Sequence, residues 1–213
     1  MAYDTLGDLI KAFRDDEKDK VEPYFWSNDQ LTRWVNEGLI EFAEATRSIY
    51  DDTSTITLVP YAVGQHRIDL DPCIMDIVDA WVDGHPHRRF RCNGFGDDYG
   101  RFYCGHGIHF NEAGFLTITP APKEAGALRL RVLRRPIREV CDKTDRIPDL
   151  LSKDRRHLLL YMAYRAYNVS DAETFDKSKS NTRYAEFLQK CQDALESGIL
   201  RRGDCSRPIR SSW

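Results

Sequence analysis

Hydrophobic positions recur at helical spacing near both ends of the chain and alternate between them. Leu6, Leu9, Ile10 and Phe13 share one face of a helix whose start is marked by the capping-box pair Thr5 and Asp8. A charged stretch from Arg14 to Lys20 follows and ends in Val-Glu-Pro. Ser27 and Gln30 form a second box, and Leu31, Trp34, Val35, Leu39, Phe42 and Ala43 then recur at steps of three and four. Asn36, Glu37, Glu41 and Glu44 lie off that stripe, so the helix packs on one side only.

From Asp51 the period falls to two. Thr55-Ile-Thr-Leu-Val-Pro and His66-Arg-Ile-Asp-Leu-Asp-Pro alternate and carry β-branched residues. Ile74 to Val82 alternates too, with Ile77, Asp79 and Trp81 opposing Val78, Ala80 and Val82. Asp83-Gly84 supplies the backbone freedom of a tight hairpin. Phe115–Thr119 and Ala127–Arg134 read as further strands, separated by Pro120-Ala-Pro-Lys-Glu-Ala-Gly. Residues 91–107, rich in Gly, Asp and aromatics, read as a long loop. Short strands with turn chemistry between them predict a small antiparallel sheet or sandwich.

After Pro136 and Pro148 the helical period returns. Leu158-Leu-Leu-Tyr-Met-Ala-Tyr is apolar nearly all round, which suits the centre of a bundle. Ser170 with Glu173 reads as another helix start, and Tyr184, Phe187, Leu188, Cys191 and Leu195 as its stripe, with Gly198 and Gly203 able to stop it. The predicted class is α+β: an α-helical bundle built from N- and C-terminal helices, with an inserted antiparallel β-rich domain. The expected divisions are helices in 1–50, the β-rich insertion in 51–147, helices in 148–198 and an extended basic arm in 199–213.

Charge sharpens those divisions. Residues 1–50 hold 6 basic and 11 acidic side chains, residues 51–147 hold 13 and 14, and residues 148–213 hold 12 and 9. The whole chain of 213 residues carries a formal net charge of −3, which excludes a globally basic nucleic-acid binder but not a local basic patch. The longest strongly apolar run, Leu158 to Tyr164, is short of a membrane span, and the N-terminus lacks a signal-peptide layout. A soluble intracellular protein is expected. Six cysteines without a CxxC pair read as reduced thiols.

Candidate chemistry is sparse. Cys92, Cys104, His106 and His109, with His85 and His87 nearby, contain zinc-type ligands, but Cys104 and His106 are only two apart and Cys92 stands alone. No metal or other cofactor is expected. Gly94-Phe-Gly-Asp-Asp-Tyr-Gly lacks the ending of a phosphate-binding loop. Asp97-Asp98, and Asp69 with Asp71, read as turn formers rather than ion ligands. Arg202-Gly-Asp204 matches an adhesion tripeptide by composition alone. Arg129, Arg131, Arg134, Arg135 and Arg138 form a basic run, with Arg129 and Arg131 on one strand face. That run reads either as a solvated sheet face or as a surface for an acidic neighbour or a nucleic-acid backbone. No catalytic constellation emerges, and the chain is not expected to be an enzyme.

The order of landmarks carries more than any one motif. Thr5-Leu-Gly-Asp-Leu-Ile is followed by Tyr24-Phe-Trp-Ser-Asn-Asp-Gln-Leu-Thr-Arg-Trp-Val-Asn-Glu37, then by Arg67-Ile-Asp-Leu-Asp-Pro-Cys-Ile-Met-Asp-Ile and Trp81-Val-Asp-Gly84. Leu116-Thr-Ile-Thr-Pro-Ala-Pro122, Leu128-Arg-Leu-Arg-Val-Leu-Arg-Arg-Pro136, Ile147-Pro, the helix from His157 and Tyr184-Ala-Glu-Phe-Leu complete it. Over about residues 4–198 this succession resembles the head-to-tail adaptor proteins of tailed bacteriophages, which include tail tubular and gateway proteins.

The resemblance implies a structural virion protein. It would form a homo-oligomeric, dodecameric ring under the portal protein, extend the DNA ejection channel and dock a downstream tail or nozzle protein. Genomic DNA would pass through the lumen without specific binding, and no membrane would be involved. Localisation would be the head–tail interface of the virion, with the host cytoplasm during assembly. The Cys- and His-rich stretch at 85–109 and the basic, Trp-ended tail depart from the usual pattern. Alternative readings are a metal-dependent enzyme on 85–109 or a nucleic-acid-binding module on the 129–138 arginines. In the terminal arm, Arg201, Arg202, Arg207, Ile209, Arg210 and Trp213 combine charge with two apolar anchors, a composition suited to binding the portal or a neighbouring subunit.

Overall fold

A computed structural model describes residues 3–82, 85–87, 89–91, 107–111, 114–147, 149–170 and 173–202. It separates into two compact units, one of Met1–Ser48 with Arg138–Trp213 and one of Ile49–Ile137. The chain is α+β, with helices towards both ends and strands between. No helix among the described residues is long and apolar enough to cross a membrane.

The first unit is helical. α1 (Leu6–Asp16) and α2 (Asn28–Thr46) begin where the capping boxes predict. The Asp8 N–H donates to Thr5 Oγ1 at 3.1 Å and the Thr5 N–H to Asp8 Oδ2 at 3.0 Å. Ser27 and Gln30 repeat the exchange at 3.2 and 2.9 Å. α3 (Ser152–Arg155) is a single turn before α4 (Leu158–Tyr167), and α5 (Lys177–Arg202) follows. α4 packs against α1, α2 and α5, which is why its sequence is apolar nearly all round. Trp34, Phe42, Leu158, Met162 and Phe187 are fully buried in this core. Gly38 lets α2 and α4 approach closely, since a Cβ there would lie 3.0 Å from Tyr161 Cδ1.

Besides Ile49 and Tyr50, which group with the strands rather than with the first helices, three boundaries differ from the sequence reading. Residues 138–147, read with the β-rich insertion, group with the helices because they line α1 and α2. Asn36 Nδ2 donates to the Val140 carbonyl at 2.8 Å and Asn36 Oδ1 accepts the Val140 N–H at 2.9 Å. The N–H groups of Leu6 and Gly7 donate to the carbonyls of Asp145 and Lys143 at 2.9 and 2.8 Å. Secondly, α5 begins at Lys177 and not near Ser170. Asp176 caps it, its carboxylate accepting the Lys179 N–H at 2.9 Å. Thirdly, α5 runs through Gly198 to Arg202, so residues 199–202 are helix where the pattern reads an extended arm. One glycine costs a helix only about 1 kcal/mol, and Ile199, Leu200, Arg201 and Arg202 beyond it all tolerate helix.

The second unit is a pair of sheets. One joins β1 (Tyr50–Asp51), β9 (Gly126–Arg134), β4 (Ile74–Val82) and β5 (His85–His87) in that order, with β2 (Leu58–Tyr61) also paired to β9. The other runs β3 (Arg67–Asp69), β8 (Phe115–Thr119), β7 (Gly107–Asn111), β6 (Arg89–Arg91). All described pairings are antiparallel except β6 with β7, which is parallel. Inward residues of both sheets, among them Ile68, Ile77, Ile108, Leu116, Leu128, Leu130 and Val132, share one core. Val82 pairs with His85, as a hairpin at Asp83-Gly84 requires, though those two residues lie outside the described residues.

Strict alternation fails ahead of β2, within β4 and at the end of β9. Thr55–Thr57 is a turn of 3-10 helix ahead of β2, not part of the strand. β4 carries register shifts between Ile74 and Asp76 and between Ile77 and Asp79. The second shift puts Ile77 and Ala80 together in the core and leaves Asp79 with Trp81 outside, against the predicted partition.

Candidate interaction surfaces

The predicted arginine run is divided by the fold. Burial along β9 alternates, so Leu128, Leu130 and Val132 face the core while Arg129 and Arg131 face out. Arg131 Nη1 donates to Asp79 Oδ2 at 3.2 Å, its Nε lies 3.5 Å from Asp52 Oδ2, and its Cζ is 5.6 Å from the Trp81 ring centroid. Arg129 sits between Leu58 on β2 and Trp81 on β4 and donates to the Asp52 carbonyl at 3.4 Å. Asp52, Trp81, Arg129 and Arg131 together line a shallow groove of about 430 Å³. Arg134 turns inward instead. It is buried, and its Nε donates to Asp51 Oδ2 at 2.5 Å. Arg135 Nη1 donates to the Pro72 carbonyl at 3.2 Å, and Arg138 belongs to the helical unit.

Burial alone would raise the Asp51 pKa, but hydrogen bonds from Ser54, Thr53 and Arg134 outweigh it and hold the carboxyl well below the usual carboxylate range. That ion pair ties β1 to the end of β9.

In the helical unit the segment between α1 and α2 is organised from within. Arg14 and Asp19 form a buried ion pair. Arg14 Nη2 also donates to the Trp26 carbonyl at 2.9 Å and to Asn28 Oδ1 at 3.0 Å, while Asp19 Oδ1 accepts the Phe25 N–H at 2.9 Å. The Arg14 guanidinium carbon lies 3.7 Å from the Tyr24 ring centroid. Outside this frame Val21 and Phe25 are 79% and 59% exposed. A second groove of about 490 Å³ runs along the outer face of α2 beside Glu139, Val140 and Cys141, with Asp29, Arg33 and Glu37 on its wall. These surfaces offer contact area, charge and aromatic rings.

A family model for the SU10 adaptor protein matches residues 4–211. The chain belongs to the SU10 adaptor protein family. It is a phage adaptor protein, as the order of its landmarks implies. No curated protein matches the chain significantly.

In this adaptor only some of the residues nominated from sequence lie among the described residues. Arg201 and Arg202 are on the last turn of α5, and Arg207, Ile209, Arg210 and Trp213 lie outside the described residues. Of the possible metal ligands, Cys92, Cys104 and His106 lie outside them as well, as do Asp97 and Asp98. His85 and His87 are on β5 and His109 on β7. No group of three His, Cys, Asp or Glu side chains suited to an ion occurs among the described residues. Asp69, on β3, makes an exposed ion pair with Arg67 at 3.1 Å, while Asp71 accepts the Cys73 N–H at 2.8 Å in a turn. Burial pushes the Cys191 thiol up to about 12, helped by the nearby Glu41 charge, so it remains protonated. Sequence reasoning missed the Arg14–Asp19 frame and the Asp51–Arg134 pair. Their charges sit in runs that read as solvated, and no periodic signal marks them as buried.

Proposed function

We propose that this adaptor is a structural, non-catalytic virion protein. Its copies close into a ring, dodecameric as the resemblance implies, beneath the portal at the head–tail interface. The ring extends the DNA channel and docks the next tail component, and the chain resides in the host cytoplasm before assembly. The observation that carries this reading is the family match over residues 4–211, which takes in both units. Exposed apolar side chains such as Val21, Phe25 and Leu58 support a role built on contacts between proteins. A channel must also release DNA. The carboxylates beside Arg131 and Arg134 weaken any grip of that strand on phosphates, in keeping with passage rather than specific binding. The residues proposed to contact portal or neighbour are Arg201, Arg202, Arg207, Ile209, Arg210 and Trp213.

Mixing the protein with its cognate portal tests the reading. Negative-stain images are expected to show rings on the portal, and the two proteins to sediment together. Persistent monomers that do not co-sediment with portal would overturn it.

A further inference from the structure

The projecting segment between α1 and α2 and the outer face of the β9 sheet are complementary in chemistry. The first presents Val21 and Phe25, 79% and 59% exposed, with Glu22 between them. Among the described residues Glu22 has neither an ion pair nor a hydrogen bond. This cluster is not a frayed loop. The buried Arg14–Asp19 pair fixes the backbone at Phe25 and Trp26, and Tyr24 lies against Arg14. An exposed apolar cluster held in place in this way binds with little ordering cost.

The second surface presents the reciprocal groups. Arg129 has no carboxylate partner among the described residues, its side chain donating there to the Asp52 carbonyl at 3.4 Å. It is flanked by Leu58, 59% exposed, and by Trp81, at the groove of about 430 Å³. Guanidinium and indole faces stack well with an aromatic ring, and a guanidinium also pairs with a carboxylate. The flanking Arg131 is already held by Asp52 and Asp79, which leaves Arg129 as the cation available to Glu22.

We propose that the Val21–Phe25 projection of one copy seats on the Leu58–Trp81–Arg129 face of the next copy, with Phe25 in the groove and Glu22 paired to Arg129. Two different patches meet, so the contact is heterologous and propagates from copy to copy until a ring closes. The proposal rests on the ring reading above and names its contact.

Self-association on the cognate portal, followed by mass photometry and sedimentation, tests it with full-length chains. Glu22→Arg and Arg129→Glu each place like charges together and are expected to weaken ring formation about tenfold or more. The double variant E22R/R129E restores the opposite pairing in every contact and recovers assembly. Phe25→Ala, about thirtyfold weaker, gives an independent reading through the apolar anchor. All these side chains are exposed or at the surface, and unchanged melting temperatures verify that each variant folds. Rings forming as in the wild type with both single charge variants and F25A would overturn this contact and leave the ring reading standing. Single-variant defects that E22R/R129E does not repair would overturn it too. A wild-type chain that forms no ring would overturn both.

Discussion

Asp19 is a carboxylate only 2% exposed, held by the Arg14 guanidinium and the Phe25 N–H among aromatic neighbours. Arg14 sits on the inner side of α1, where a charged end can be buried only if it is matched. Removing Asp19 strands the guanidinium and releases the Phe25 N–H. Asp19→Ala is therefore expected to cost about 3–5 kcal/mol, measured by urea unfolding. A loss below about 1 kcal/mol would mean that water already shares the site. None of this was legible in the run Arg14 to Lys20. Mixed charges over seven residues look like a solvated stretch, and burial of two of them depends on Trp26 and Asn28 arriving from the next segment. The capping boxes were legible because Thr5–Asp8 and Ser27–Gln30 close within a single turn.

Elements followed their periods until a local insertion or a distant partner intervened. α4 was readable from its apolar circumference, and β8 and β9 from alternation. β4 was readable as a strand but not in its sidedness. An extra residue near Val78 changes which side chains face in, while leaving the composition strand-like. The end of β9 departs differently: Arg134 keeps the inward phase of Leu128, Leu130 and Val132, matched there by Asp51, and it is the burial of Leu133 that ends the alternation. The Asp51–Arg134 pair predicts a pH dependence. The folded carboxyl ionises below its unfolded value near 3.9, so its stabilisation is fully present above that value and is lost as pH falls through the lower folded one. The urea midpoint is expected to drop as pH is lowered from about 4 towards 2. Asp51→Asn should lower stability at pH 7 and flatten that acid limb. An unchanged limb would place the acid sensitivity in other carboxylates.

At the scale of the whole chain, the alternation of helix, strand and helix periods was enough for the α+β class, and the order of landmarks for the family. The division at residue 138 was hidden, because 138–147 has no period at all and joins the helices through the backbone N–H groups of Leu6 and Gly7 and the side-chain amide of Asn36. The proposed role of the C-terminal residues makes a further prediction. Since α5 is helical to Arg202, the informative deletion starts at Gly203. Removing 203–213 is expected to leave the melting temperature within about 1 °C, since the described members of the helical core all precede residue 203, while weakening attachment to portal. Undiminished attachment in a sedimentation assay would rule the segment out as a contact.

The first and last strands of the β unit lie side by side, Tyr50 opposite Leu133, with the Arg134 N–H donating to the Ile49 carbonyl at 3.1 Å. The inserted unit therefore begins and ends at one place. A module closed at its own neck can be exchanged as a block, because a replacement needs only two adjacent ends. Its outer face, with Leu58, Trp81 and Arg129, can diverge to suit new contacts while α1, α2, α4 and α5 keep the same packing. Partner choice can then change in the β unit without touching the helical core, because the two adjacent ends are all that the exchange must match.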